Sequence, residues 1–306
     1  MAAQTVSSQR YYCSLASQEV GEQLFGSAIR TDVWLALEYS GAWHEKAFEQ
    51  SALPQPVKDH LAAQAAAIPN ARIQLIRRQG EASAEGYAFY IAVAREVDPL
   101  LYAFRLQSYE DLLTLDIAAL AAADPAYVSH LSDERLYLVC SHGERDTCCG
   151  KFGAATFVAM AQIDGDAVWR TTHVGGHRFA PNVVVLPHGI FYGRVAAEDA
   201  QRVLDDYRQG RITLDRLRGR ACYPAEAQVA EYFLRAENGL DALEALRLQE
   251  VQSGDPARWL VRFEERGTGR VHTLEIAAET GEPSIRKSCA DTVAEPITRY
   301  RLLSLS

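Results

Sequence analysis

The hydrophobic pattern switches between two periods along the chain, and the switches mark its elements. Val57–Ala67 is built of strong helix formers and stops at Pro69-Asn70. Arg72-Ile-Gln-Leu-Ile-Arg77, Gly86–Val93 and Leu101–Leu106 alternate or run apolar in short stretches, which predicts strands. Val20–Leu37 is rich in apolar residues and predicts a partly helical segment. The alanine-rich run 118–123 before Asp124-Pro125 reads as a helix end and a boundary.

Beyond that boundary, Arg135–Cys140 and Ala167–Thr172 predict strands, followed by Asn182–Leu186 and Gly189–Gly193. Phe152–Gln162 and Ala196–Tyr207 predict helices. The order β-α-β-β-β-α, with cysteines at the first strand-to-helix junction, resembles a thioredoxin-like layout. Residues 225–248 predict a helix broken at Asn238-Gly239. Trp259–Phe263 and Val271–Ile276 flank Gly267-Thr-Gly269 as a hairpin. No internal repeat stands out. The expected fold class is α/β (α+β overall). A thioredoxin-like domain at 131–209 is flanked by an N-terminal α/β unit, 1–130, and a C-terminal helical and hairpin unit, 210–306.

Charge narrows the partners. With 31 basic and 40 acidic residues the net charge is −9, which disfavours nucleic acid and anionic membranes. No apolar run approaches the ~18 residues of a membrane span. Met1–Arg10 lacks a basic start followed by an apolar stretch, so no signal peptide is expected and a reducing, cytoplasmic setting follows. In such a setting six cysteines point to metal or redox chemistry rather than a disulfide scaffold.

Two segments hold the densest chemistry: Cys140-Ser-His-Gly-Glu-Arg-Asp-Thr-Cys148-Cys149-Gly150 and His173-Val-Gly-Gly-His177. Cys140 ends a predicted strand and Cys149 opens a predicted helix. A helix N-terminus offers partial positive charge and free N–H groups to a thiolate. Arg145 and Lys151 add positive charge nearby. The paired glycines predict a loop rather than a helix between the histidines, tight enough for both imidazoles to converge. Two cysteines and two histidines suit a tetrahedral zinc ion, or a [2Fe–2S] cluster of the Rieske type. The eight-residue gap between Cys140 and Cys149 is wider than the ~2–4 residues usual in zinc knuckles. Two further readings stand beside these: core cysteines with satisfied histidines, and a thiol oxidoreductase using Cys148 and Cys149. Adjacent cysteines bridge poorly, and C-x-x-C is the usual redox arrangement. No Walker loop, G-x-G-x-x-G or paired-carboxylate sugar site is found.

The run Cys140–Asp146 with Cys149-Gly150, His173-Val-Gly-Gly-His177-Arg-Phe-Ala-Pro-Asn182, Leu186-Pro187 and Gly189-Ile-Phe-Tyr-Gly-Arg194 resembles the sucrase/ferredoxin-like family. The resemblance is strongest over 130–208, and Tyr12-Cys13-Ser14 and 218–236 also look like family positions. It implies a thioredoxin-like ferredoxin domain holding a [2Fe–2S] cluster through Cys140, Cys149, His173 and His177. Cys149 is preferred to Cys148 because it directly precedes Gly150. The implied role is one-electron transfer with a redox protein partner, an electron carrier rather than a self-contained catalyst. Neutral imidazoles raise the potential, to roughly −150 to +300 mV in Rieske centres against about −400 mV in plant-type ferredoxins. A zinc-stabilised binding module on the same ligands is the alternative.

Around these ligands Cys148, His142, Arg145, Lys151 and Arg178 are the expected supports. His142 is read as a hydrogen-bond donor or a surface residue, Arg145 as the partner of Asp146, and Arg178 as an offset to cluster charge. Pro181 stands where thioredoxin-like folds keep a cis-proline, so a cis Ala180–Pro181 bond is expected. His188 is read as a turn residue. Cys13, Cys222 and Cys289 are scattered in sequence and read as buried small hydrophobes.

Overall fold

The computed structural model describes residues 10–79, 86–255 and 257–306. The opening stretch read for a signal peptide lies, apart from Arg10, outside them. Continuous apolar runs make the central strands. β1 (Val33–Glu38) and β5 (Leu136–Cys140) are buried at every position, as strands covered on both faces are. This corrects the helical reading of Val20–Leu37. Its second part has no helical polar face and belongs inside a sheet, and the first helix, α1, lies earlier at Cys13–Glu19.

After β1 come α2 (Gln55–Ala67), β2 (Ala71–Arg77), β3 (Tyr87–Val93), β4 (Leu100–Leu106) and α3 (Ile117–Ala121). After β5 come α4 (Thr147–Ile163), β6 (Val168–Thr171), β7 (Val183–Leu186), β8 (Ile190–Tyr192) and α5 (Ala200–Arg208). β9 (Leu217–Arg220) completes one nine-stranded sheet in the order β4-β3-β1-β2-β6-β5-β7-β8-β9.

That order contains a repeat that the sequence hides. In the first half β1 is parallel to β2 and antiparallel to β3, which pairs antiparallel with β4. In the second half β5, β6, β7 and β8 stand in the same relations. Each half is a β-α-β-β-β-α unit of thioredoxin-like connectivity. The two meet where β2 and β6 pair antiparallel, at Ile76↔Thr171 and Arg77↔Arg170. Strand alternation then divides the core. Val33, Leu35 and Leu37 face Val57 and Leu61 of α2, while Tyr137 and Val139 face Phe157 of α4 and Leu204 of α5. Trp34, Ile76, Leu138, Cys140, Trp169 and Phe191 point the other way into a core shared by both halves. Ala180–Pro181 is cis, as expected, and so is Leu186–Pro187. His188 sits in the turn that follows, its Nδ1 2.6 Å from the Tyr207 hydroxyl.

α6 (Ala225–Asn238) ends at Gly239, whose φ of 66° closes the helix in the left-handed region. The helical reading of 225–248 is corrected at its end, where residues 246–248 already belong to β10 (Leu246–Asp255). The expected hairpin is β11 (Arg258–Glu265) with β12 (Val271–Ile285), and β13 (Glu295–Leu305) extends it to a four-stranded antiparallel sheet packed on α6. Among the described residues no helix is long and apolar enough to cross a membrane.

Gly153 fixes how closely α4 approaches β5, because a side chain there would strike the carbonyl of Cys140. In an exposed helix Gly→Ala stabilises by about 1 kcal/mol. Here the sign reverses: Gly153→Ala is expected to lower unfolding free energy by about 1–3 kcal/mol, read as a lower urea midpoint.

Candidate metal centre

The start of α4 organises the site. Asp146 caps the helix, its carboxylate accepting the Cys148 N–H at 2.8 Å. Successive helical residues turn by about 100°. Cys148 and Cys149 are therefore both fully buried yet leave the first turn in different directions. Cys149 joins Cys140, at the end of β5, and His173, just past β6. Their ligand atoms all lie within 4.8 Å of one another, and Cys149 Sγ is 3.8 Å from His173 Nδ1. Cys148 joins a different group, with its sulfur 3.7 Å from Cys13 and 3.2 Å from Cys289. Cys13 and Cys289 are thus not isolated small hydrophobes: they are scattered in sequence and gathered in space. Cys222 belongs to neither group, and burial pushes its thiol up to about 11.

The histidine loop turns on its glycines. Gly175 and Gly176 have φ of 95° and 70°, and a side chain at 176 would run into the Arg218 guanidinium. Gly176 starts a short 3-10 turn, His177–Phe179, which stacks the His177 ring on that of His173 with centroids 4.8 Å apart. His177 lies outside the 4.8 Å group, but its Nδ1 is buried with no hydrogen-bond partner among the described residues.

Supporting side chains fix this loop. His142 Nε2 donates to the His44 carbonyl at 2.8 Å, and its Nδ1 accepts the His173 N–H at 3.3 Å. His142 is thus buried, and it holds the backbone of His173. Arg72 donates to the His173 carbonyl at 2.6 Å. Arg218, on β9 and 1% exposed, donates to the Gly175 carbonyl and to Asn182 Oδ1, both at 2.9 Å. Neither arginine is legible as a site residue: Arg72 comes from a strand with no motif around it, and the family-like segment that opens at Arg218 assigns that residue no role. The other expected cations turn elsewhere. Arg145 pairs with Glu45 at 3.0 Å rather than with Asp146, whose carboxylate is taken by the helix cap. Lys151 donates to the Tyr12 hydroxyl at 3.1 Å. Arg178 pairs with Glu22 at 2.7 Å.

Residues 24–219 match the family model described as sucrase/ferredoxin-like. The chain belongs to the sucrase/ferredoxin-like family. Curated relatives are named altered inheritance of mitochondria protein 32. That of Meyerozyma guilliermondii is 38% identical over 100 residues, covering 29% of this chain and 35% of the relative. That of Clavispora lusitaniae is 32% identical over 94 residues, 28% of this chain and 34% of the relative. That of Candida glabrata is 23% identical over 160 residues, 44% of this chain and 49% of the relative. The chain thus spans from about a third to half the length of these relatives. No solved structure gives a significant match. The sucrase/ferredoxin-like match takes in both halves of the large sheet and the first thiol–imidazole group, while Cys13 and Cys289 of the second group lie beyond it.

Within this family member the two thiols of the first group are unequal. Hydrogen bonds from Cys149 and His173 hold Cys140 well below the usual thiol range, and the same contact with Cys140, with burial, pushes Cys149 up. Burial, reinforced by His173, lowers His177 and favours the neutral imidazole a metal requires. In the second group Cys148 is lowered to about 6, chiefly by its hydrogen bond with Cys13, while Cys13 is raised by the same contact. Arg218→Met tests the loop clamp. Each stranded buried acceptor costs about 1–3 kcal/mol, so stability should fall by at least ~2 kcal/mol and amide exchange over 173–182 should quicken. Unchanged exchange would show that the arginine does not hold the loop.

Proposed function

We propose that this chain is a one-electron carrier that holds a [2Fe–2S] cluster through Cys140, Cys149, His173 and His177 and exchanges electrons with a redox protein partner. The observation that carries the reading is convergence. Two fully buried thiols meet one imidazole, and a second, stacked imidazole presents a buried nitrogen with no partner. Buried polar atoms are normally satisfied, so an orphaned Nδ1 on a ring stacked against His173 fits a ligand without its metal. Membership of a family described as sucrase/ferredoxin-like is consistent with this reading.

When bound, the cluster supplies one-electron transfer at a potential raised by its neutral imidazole ligands. The chain's own residues supply the rest. Cys140 is ready as a thiolate, and the N-terminus of α4 offsets negative charge on Cys149. His142, Arg72 and Arg218 fix the backbone of the histidine loop from three sides. Both histidines are half-buried, which gives a partner protein an approach. The net charge of −9 suits a basic partner. The cytosol is the proposed compartment, and because the relatives' names refer to mitochondria, subcellular fractionation is the check.

Compactness favours one second reading. Ligand atoms at ~2.0–2.3 Å from a single zinc ion lie within about 4 Å of one another, and the Cys140–Cys149–His173 group is close to that. A zinc-stabilised module would use the same residues. Anaerobic purification with iron and sulfide analysis separates the two. A brown-red protein with about two irons and two sulfides per chain supports the cluster, and a colourless protein without acid-labile sulfide contradicts it. His177→Cys is then expected to keep a cluster and move its potential down toward about −400 mV, because a thiolate adds negative charge. A potential that does not fall would remove His177 from the ligand set.

A further inference from the structure

The second cysteine group lies on the far side of Cys148 from the first. Cys13 opens α1, Cys148 sits in the first turn of α4, and Cys289 lies in the loop between β12 and β13. Their sulfurs form a triangle with edges of 3.7, 3.2 and 3.7 Å. Thiolates bound tetrahedrally at ~2.3 Å to one zinc ion stand about 3.8 Å apart. The carboxylate of Asp146 completes the figure, with its oxygens 3.8 and 3.9 Å from Cys13 Sγ. Its four ligand atoms all fall within 4.8 Å of one another.

We propose that Cys13, Cys148, Cys289 and Asp146 form a structural zinc site, separate from the thiol–imidazole centre and joined to it through the Cys148-Cys149 peptide. The donor set suits zinc: three soft thiolates and one oxygen in a closed four-coordinate arrangement. The carboxylate is oriented as metal-bound carboxylates are, by hydrogen bonds from neutral donors. These are the Cys148 N–H at 2.8 Å, the Cys289 N–H at 2.9 Å and the Ser288 hydroxyl at 3.0 Å. A divalent cation supplies the charge that four ionisable groups packed around one point otherwise lack. Cys13, Cys148 and Asp146 are fully or nearly fully buried and Cys289 is half-buried, so the site is closed.

The site also has a mechanical sense. It ties three parts of the chain that no shared strand connects: the N-terminal helix, the second half of the large sheet and the C-terminal four-stranded sheet. Tyr11 adds a second tie beside it, donating to the Arg286 carbonyl at 2.9 Å with the Arg286 guanidinium 3.6 Å above its ring. Cys13 and Cys289 lie outside residues 24–219 and Asp146 and Cys148 within them, so the site joins the matched region to the segments on either side.

Metal analysis of the full-length chain tests the proposal. The protein is purified with zinc present, as wild type and with His173→Ala, which disables the other centre. Both should carry about one zinc per chain that resists dialysis, and cobalt(II) in its place should give tetrahedral thiolate-to-metal bands. Cys13→Ser and Cys289→Ser should each weaken zinc binding at least ~100-fold while leaving the iron content of the wild-type background unchanged. Cys289 sits in a surface loop, so its variant is expected to fold, with circular dichroism as the check. Absence of zinc from the His173→Ala protein would overturn the proposal whether or not any cysteine variant folds. So would zinc that survives Cys13→Ser and Cys289→Ser in the His173→Ala background, or a Cys148–Cys289 disulfide mapped in place of the metal. Iron content reports on the other centre, so failure of one reading is distinguishable from failure of the other.

Discussion

The hydrogen bond from the Cys148 N–H to the Asp146 carboxylate is the contact on which both thiol groups depend. It fixes where α4 begins. Once that register is set, helical geometry alone sends two neighbouring cysteines to different places. Shifting the cap by one residue would rotate each sulfur by about 100° and break both groups together. The same carboxylate also receives the Cys289 N–H, so one side chain sets the helix start and anchors the loop that brings in the third thiol.

The repeat in the sheet gives this register its setting. Two β-α-β-β-β-α units share a sheet, yet only the second carries cysteines and histidines at its strand ends. In the first unit the corresponding loop after β1 holds Trp43, His44 and Glu45. That loop buttresses the second unit: the His44 carbonyl accepts from His142, Glu45 pairs with Arg145, and Trp43 lies edge-on to the His142 ring at 6.1 Å. β9 closes the other side through Arg218. The histidine loop is therefore held by elements from both units and from beyond them. One half of the sheet carries the thiol–imidazole group and the other half helps to hold its loops.

Much of this was legible in the chain, and the gaps have physical causes. The strands of the second half announce themselves by apolar runs ending at Cys140 and His173. β1 was misread because a strand buried on both faces loses its alternation and looks like part of a buried helix. The end of α6 was overrun because Leu246–Leu248 continues an apolar pattern past Gly239. The chemical types at the candidate centre are visible in the sequence, whereas the placing of Cys149 rather than Cys148 near Cys140 is read from the fold. The roles of Cys13, Cys289, Arg72 and Arg218 were not legible, because each acts through a partner distant in sequence, and single-sequence patterns carry no record of such meetings. The topological repeat was hidden for a related reason: connectivity is shared between the halves while the residues are not.

The central claim is that Cys148 and Cys149 serve two different metals. Counting iron and zinc in the same preparations of full-length Cys148→Ser and Cys149→Ser tests it most directly. The account predicts a crossed result, with Cys149→Ser losing iron and keeping zinc and Cys148→Ser losing zinc and keeping iron. Loss of the same metal from both variants, or loss of iron from Cys148→Ser, would contradict it.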